Sequence, residues 1–204
     1  MVLSRRMLLS STALLVLPTV ARAQALPPET ALQSERSVGS PTAKAVVDEW
    51  FSLTCTHCAR FAQETFPEVK KNLIDTGKVR WVFRDFPLDR VALMAAMVAR
   101  ALPPERYEPF ILALFAGQDR WAFAQGVDSK EEVWKIAALA GMSRATFDAA
   151  VGDTALQNWI LATQKEAETK YAIDATPSFV INGKKMSSGE MGYDAFVKLL
   201  PGVV

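Results

Sequence analysis

The chain has 204 residues, half of them hydrophobic, with 23 basic against 22 acidic side chains and a formal net charge of +1. That length suits one domain, or one domain carrying a large insertion. The balanced charge leaves no basic field for nucleic acid.

Arg5 and Arg6 precede the apolar run Met7 to Leu17, which is followed by Pro18 and the small-x-small sequence Ala21-Arg22-Ala23. This is the pattern of a secretory signal peptide over residues 1–23, with the mature chain starting at Gln24. Ser4-Arg5-Arg6-Met7-Leu8-Leu9 also looks like a twin-arginine signal, although Leu stands where an aromatic is commonest, so both export routes remain open. The apolar run is too short for a spanning helix, and the mature protein is expected to be soluble. Its 20 basic and 22 acidic residues make it slightly acidic.

Residues 24–40 read as a tether, with Pro27-Pro28 and few large apolar groups, leading into a short strand from Glu35 to Val38. The turn Gly39-Ser40-Pro41 ends it. Ala45 to Phe51 is apolar, β-branched and aromatic, as a buried strand is. Phe61, Phe66, Val69 and Leu73 then recur at helical spacing, predicting a helix from about Cys55, past a kink at Pro67, to Asp75, with Gly77 as its stop. Val79 to Phe83 is a second strand, continued by Arg84-Asp85-Phe86-Pro87, so residues 41–89 hold a βαβ unit and a parallel pair.

Residues 90–171 read as helical throughout. Ala92 to Leu102 is Ala- and Met-rich, Pro104 suits a first helical turn, Asp128-Ser129-Lys130-Glu131 resembles a capping box, and Ser143 and Asp153 open two more helices. Met94 and Met97, a conceivable copper pair, are expected in the core. In residues 172–204 strand character returns. Ser178 to Ile181 precedes Asn182-Gly183, the strongest two-residue hairpin signal; Lys184 begins the return strand, and Tyr193 to Leu200 closes as an amphipathic helix.

Both cysteines of the chain, Cys55 and Cys58, flank its single histidine, His57, at the strand-to-helix turn. At a helix start the backbone N–H groups are unpaired and the dipole is positive, so a thiolate at Cys55 is favoured. In such motifs thiol pKa values fall to roughly 3.5–7.5. A thiolate stabilised in the reduced form makes the disulfide a stronger oxidant, by about 30 mV per unit of depression. His57 adds to this if it lies near the sulfur. A structural staple closing so small a loop constrains little of the unfolded chain. Zinc needs four ligands, which Cys55, Cys58 and the adjacent His57 cannot supply. Haem attachment needs C-x-x-C-H, and Ala59 fills the last place.

Three blocks carry a family resemblance: Glu49-Trp50-Phe51-Ser52-Leu53-Thr54-Cys55-Thr56-His57-Cys58, Phe83-Arg84-Asp85-Phe86-Pro87-Leu88, and Ala175-Thr176-Pro177-Ser178-Phe179-Val180-Ile181-Asn182-Gly183. In this order, with helices between the second and third, the chain resembles the DsbA family of periplasmic thiol:disulfide oxidoreductases over nearly its whole mature length. The resemblance implies an α/β, thioredoxin-like fold with an inserted all-helical domain. It makes Cys55 the nucleophile and Cys58 the resolving thiol. Glu49 matches a buried acid that assists proton transfer at the resolving thiol; the alternative is an exposed strand-end carboxylate. Thr176-Pro177 matches a cis-proline loop that lies against the cysteines and presents backbone to substrate; the lesser alternative is that Pro177 merely starts an edge strand in trans. Thr56 stands where the family often has proline, which leaves the redox poise open.

The activity so implied is insertion of disulfide bonds into cysteine-containing exported proteins in the periplasm. It uses the Cys55–Cys58 disulfide, no dissociable cofactor and no metal. A DsbB-type, quinone-linked membrane oxidase is the implied partner for reoxidation. Thr176 also recurs in isomerase and reductase relatives, but these carry an N-terminal dimerisation domain for which Gln24 to Pro41 is too short, so a monomer is expected. The alternatives are a disulfide reductase or isomerase using the same pair, and a Cu(I)-binding thiol chaperone.

Overall fold

In a computed structural model that describes residues 25–200 and 202–203, five strands form one sheet in the order β1-β3-β2-β4-β5. The signal-peptide reading of residues 1–23 lies outside the described residues. The βαβ unit is present: β2 (Ala45–Phe51) runs parallel to β3 (Val79–Asp85). β1 (Arg36–Val38) adds antiparallel to β3, and β4 (Ser178–Ile181) antiparallel to β2, with β5 (Lys184–Ser188) on the outer edge of β4. Asn182 and Gly183, at φ +48° and +80°, make the turn between β4 and β5, for which two left-handed residues are needed. The Asn182 side chain also accepts the Val46 N–H at 2.9 Å, tying the hairpin to β2.

Alternation along β2 sorts its side chains between two faces. Val47 and Phe51 belong to the main core, while Trp50 packs on the far side with Phe86, Ile173 and Val180. The centre of the main core is Trp81 of β3, in ring contact with Phe61, Phe66, Phe179 and Phe196. The helix after β2 is not uniform. Its first turns, α2 (Thr56–Arg60), lead into a π-helical turn over Phe61–Thr65, then α3 (Phe66–Val69) and a second π turn over Lys70–Ile74. Pro67 has no N–H and its ring crowds the preceding turn. The disturbance expected at Pro67 is taken up just before it, where the Phe66 N–H reaches back to the Phe61 carbonyl.

Between β3 and β4 lie six helices: α4 (Arg90–Arg100), α5 (Pro104–Ala116), α6 (Gln118–Trp121), α7 (Ser129–Leu139), α8 (Arg144–Val151) and α9 (Thr154–Tyr171). Asp89, Asp128, Ser143 and Asp153 each cap a helix through the side chain. Two expectations are corrected. The capping box at Asp128 is not closed, because Glu131 instead takes both terminal nitrogens of Arg144, at 2.7 and 2.9 Å. Residues 122–128 are not helical. Met97 is buried and Met94 packs against the core. The carboxy-terminal helix is α10 (Tyr193–Val197).

The segment read as a tether is structured at its end: α1 (Glu29–Leu32) is one helical turn, and Leu32 is buried. Buried Arg36 holds it through the carbonyls of Ala31 and Ser34, and Arg100 through those of Leu32 and Ser34. The Arg100 guanidinium pairs with Asp85 at the end of β3, whose other oxygen accepts the Tyr107 hydroxyl at 2.9 Å. Sheet, helical insertion and N-terminal segment are thus joined by a buried network in which Arg100 is paired with Asp85, while the Arg36 guanidinium is held by backbone carbonyls and the Ser34 hydroxyl. No helix among the described residues is long and apolar enough to cross a membrane.

Candidate active site

Cys55 is the N-cap residue of α2, with extended backbone at φ −78° and ψ 118°. Its Sγ accepts the backbone N–H of Cys58, three residues on, at 3.4 Å. The C-x-x-C spacing is therefore the N-cap-to-N3 spacing of a helix, with sulfur where Ser or Thr usually places oxygen. Both cysteines are free thiols; Cys55 keeps 8% of its surface exposed and Cys58 none.

Their surroundings push the two thiols in opposite directions. Cys55 is lowered from the ordinary thiol value to about 5, chiefly because the Cys58 thiol hydrogen-bonds to it. Burial opposes this; the Thr176 side chain and the backbone N–H groups of Cys58 and His57 reinforce it. The Thr176 hydroxyl oxygen is buried and, among the described residues, has no hydrogen-bond partner at ordinary geometry, so its proton is free to turn to the sulfur. In the thiol form Cys55 donates to the Thr176 carbonyl at 3.3 Å. Burial pushes the Cys58 thiol well above its usual range, and its hydrogen bond to Cys55 and the charges of Cys55 and Glu49 add to this.

Glu49 is buried on β2 rather than exposed at the strand end. The Trp81 indole donates to its Oε2 at 3.0 Å. Burial raises its carboxyl to about 8; the Trp81 bond pulls the other way and the Cys55 charge adds a smaller push. The core tryptophan thus holds an acid that stays protonated near neutral pH. The Thr176–Pro177 bond is cis, and the Thr176 carbonyl faces the Cys55 sulfur.

The His57 ring lies elsewhere than its sequence position suggests. Its side chain is 59% exposed and its Nδ1 is 3.1 Å from Glu190 Oε2, so residue 57 supports the Cys55 thiolate through its backbone N–H rather than its imidazole. Thr56, beside it, is exposed and lines a cleft with Arg60, Gln63 and Gln118.

Several positioning groups were not among those read from the sequence. The buried Gln118 amide donates to the carbonyls of Leu53 and Cys55, at 2.8 and 3.1 Å, fixing the cysteine loop from the helical insertion. Ser52 Oγ accepts the Leu88 N–H at 3.3 Å, and the Thr54 hydroxyl donates to Asp89 at 2.6 Å, joining the loops that leave β2 and β3. Asp89 could have been found, as an Asp before an apolar helical pattern is an N-cap signal. Gln118 and Glu190 could not, because a single polar residue shows no partner until the fold supplies one.

Comparison with known proteins agrees with this geometry. A family model described as Thioredoxin matches residues 31–201. A Rickettsia felis protein named as a protein-disulfide oxidoreductase is 30% identical over 147 residues, 72% of this chain and 52% of its own. The chain thus spans about half the length of that relative. The crystal structure of alpha-DsbA1 from Wolbachia pipientis superposes with a TM-score of 0.76 at 30% identity, covering 84% of this chain and 91% of the other. A protein-disulfide isomerase from Novosphingobium aromaticivorans gives 0.72 at 25% identity, covering 83% and 97%.

Proposed function

Since the chain belongs to the thioredoxin family, and within it to the DsbA-type proteins, we propose that it inserts disulfide bonds into cysteine-containing exported proteins, by exchange with a Cys55–Cys58 disulfide. The observation that carries this reading is the asymmetry of the pair. One sulfur is a helix cap lowered to about 5; the other, one turn on, is fully buried and raised.

A substrate thiolate attacks Cys55 Sγ, the partly exposed sulfur. The Cys55–Cys58 bond breaks, a mixed disulfide forms, and Cys58 leaves as a thiolate that must take up a proton. Glu49, protonated below about pH 8, supplies it. The substrate's second thiolate then attacks its own sulfur in the mixed disulfide and expels Cys55, a good leaving group because its thiolate is stable. Two electrons pass from substrate to the cysteine pair. The Thr176–Pro177 loop, whose carbonyl faces Cys55, lies where an extended substrate backbone would pair. A quinone-linked membrane oxidase of the DsbB type removes the electrons, in the oxidising periplasm to which the N-terminal signal directs a monomeric protein.

Likeness to the Novosphingobium isomerase supports a second reading, in which the same pair reduces or isomerises disulfides. The reduction potential separates the two: near that of a strong oxidant, about −120 mV, for insertion, and well below for reduction. Metal analysis of the purified protein separates both from a Cu(I) chaperone. The test of mechanism is Cys58→Ser, which should accumulate mixed disulfides between Cys55 and exported proteins, because the resolving thiol is gone. Cys55→Ser should trap none. Equal trapping by the two variants would reverse or abolish the roles.

A further inference from the structure

Residues 189–192, between β5 and α10, are fastened to the site at two points. The Gly189 N–H, from a residue at φ +91° that glycine suits, donates to the Pro177 carbonyl at 2.7 Å. The Met191 carbonyl accepts the hydroxyl of buried Thr65, from the first π turn, at 2.8 Å. Glu190 lies between these anchors, so its direction is set by the fold. Its Oε2 meets His57 Nδ1 at 3.1 Å and its Oε1 meets Arg60 Nη1. Glu190 is the ring's sole hydrogen-bond or ion-pair partner among the described residues. In the cleft of about 270 Å³ that Glu190 lines, the other charged residues are Arg60 and Glu64.

Building on the exchange proposed above, we infer that Glu190 is a positioning residue for that reaction: it holds the His57 ring and the Arg60 guanidinium away from the Cys55 sulfur and so tempers the oxidising strength of the pair. The sign follows from charge alone. Replacing the carboxylate by an amide removes a full negative charge from the group of three, whereas the ring can lose at most the fraction of a proton it held. The group becomes more positive whichever form the imidazole takes. The released ring, two residues from Cys55, is also free to turn toward the sulfur. A positive charge near a thiolate stabilises it, and a more stable reduced form makes the disulfide a stronger oxidant. Across partly exposed surface the effect of one charge is modest, about threefold in the thiol–disulfide equilibrium.

The experiment equilibrates the parent, Glu190→Gln, Glu190→Asp and the pair Glu190→Gln with His57→Ser against glutathione buffers, and reads the fraction reduced. Glu190→Gln should be more reduced at a given buffer ratio, by about threefold in the equilibrium constant. Glu190→Asp should stay near the parent, and the shift should at least halve when measured against His57→Ser alone. An unmoved Glu190→Gln, or a shift of the same size without His57, would overturn the inference. A parent that exchanges with no thiol at all would count against the exchange reading, whereas a normally exchanging parent beside an unmoved variant counts against Glu190 alone.

Discussion

The largest support for the Cys55 thiolate is the Cys58 thiol, and this can be isolated by comparing Cys58→Ala with Cys58→Ser. Serine keeps an O–H donor beside the Cys55 sulfur; alanine removes it and leaves the backbone N–H groups in place. A hydrogen bond to a charged group contributes about 1.5–3 kcal/mol. At 1.36 kcal/mol per unit, the alanine variant should titrate about 1–2 units above the parent's value of about 5. The serine variant should stay near it.

The contrast is sharpest at about pH 5, where the parent is half ionised. There the thiolate fraction of the alanine variant falls roughly five- to fiftyfold. A more basic thiolate is also a better nucleophile, with a Brønsted slope of about 0.4–0.5, so alkylation at that pH should slow by only roughly two- to eightfold. Ultraviolet absorbance of the thiolate against pH gives the titration and iodoacetamide the rate. If both variants titrate together near the parent, the helix terminus and backbone suffice and the thiol donor is irrelevant. If both rise together, loss of the sulfur rather than of a donor is responsible.

The raised carboxyl of Glu49 gives a stability signature as well as a kinetic one. Between the unfolded value near 4.5 and the folded value of about 8, the folded protein keeps a proton that the unfolded chain releases. The parent should therefore lose stability as pH rises through that window, by an amount on the order of a few kcal/mol, and Glu49→Gln should not. Denaturant melts of the oxidised proteins, which carry no titrating thiol, test this; parallel curves would show that Glu49 ionises freely, and an unaltered exchange rate would remove its proton-transfer role. Gln118→Leu should strip the Leu53 and Cys55 carbonyls of their shared donor, at about 1–3 kcal/mol. A variant with parental stability and parental thiol exchange would mean that the insertion does not brace the cysteine loop.

The fold was legible because its signals are local. Apolar, β-branched and aromatic runs marked β2 and β3, the caps at Asp128, Ser143 and Asp153 marked three helix starts, and Asn182-Gly183 marked the hairpin through the left-handed conformations both residues adopt. The cysteine pair was legible for the same reason, since its spacing is that of a single helical turn. What stayed hidden depends on contacts distant in sequence. Glu49 was expected to be buried only through the family resemblance; what buries and bonds it, Trp81, lies 32 residues on. His57 looked like a neighbour of the sulfur until Glu190, 133 residues on, was seen to hold the ring. Leu32 and Arg36 turned a presumed tether into packed structure through partners in the helical insertion.

Position adds to the Cys58 thiol donor in setting the polarity of the pair. A helix start is where negative charge is most welcome, and the inner side of its first turn, packed on a sheet, is where charge is least tolerated. A C-x-x-C motif that begins at the N-cap places one sulfur in each of these environments without needing any charged neighbour. Under the proposed exchange, breaking the disulfide leaves a stable thiolate at Cys55 and a sulfur at Cys58 that requires a proton, and the buried acid proposed to give it lies on β2. In the proposed exchange, an incoming thiolate would meet Cys55, since Cys58 is fully covered. Substitutions at Thr56, His57 or Glu190 can therefore alter how strongly the pair draws electrons, but they cannot exchange the roles of the two sulfurs. Reversing those roles would require moving the helix start by a turn, and with it the register of the whole segment against Trp81.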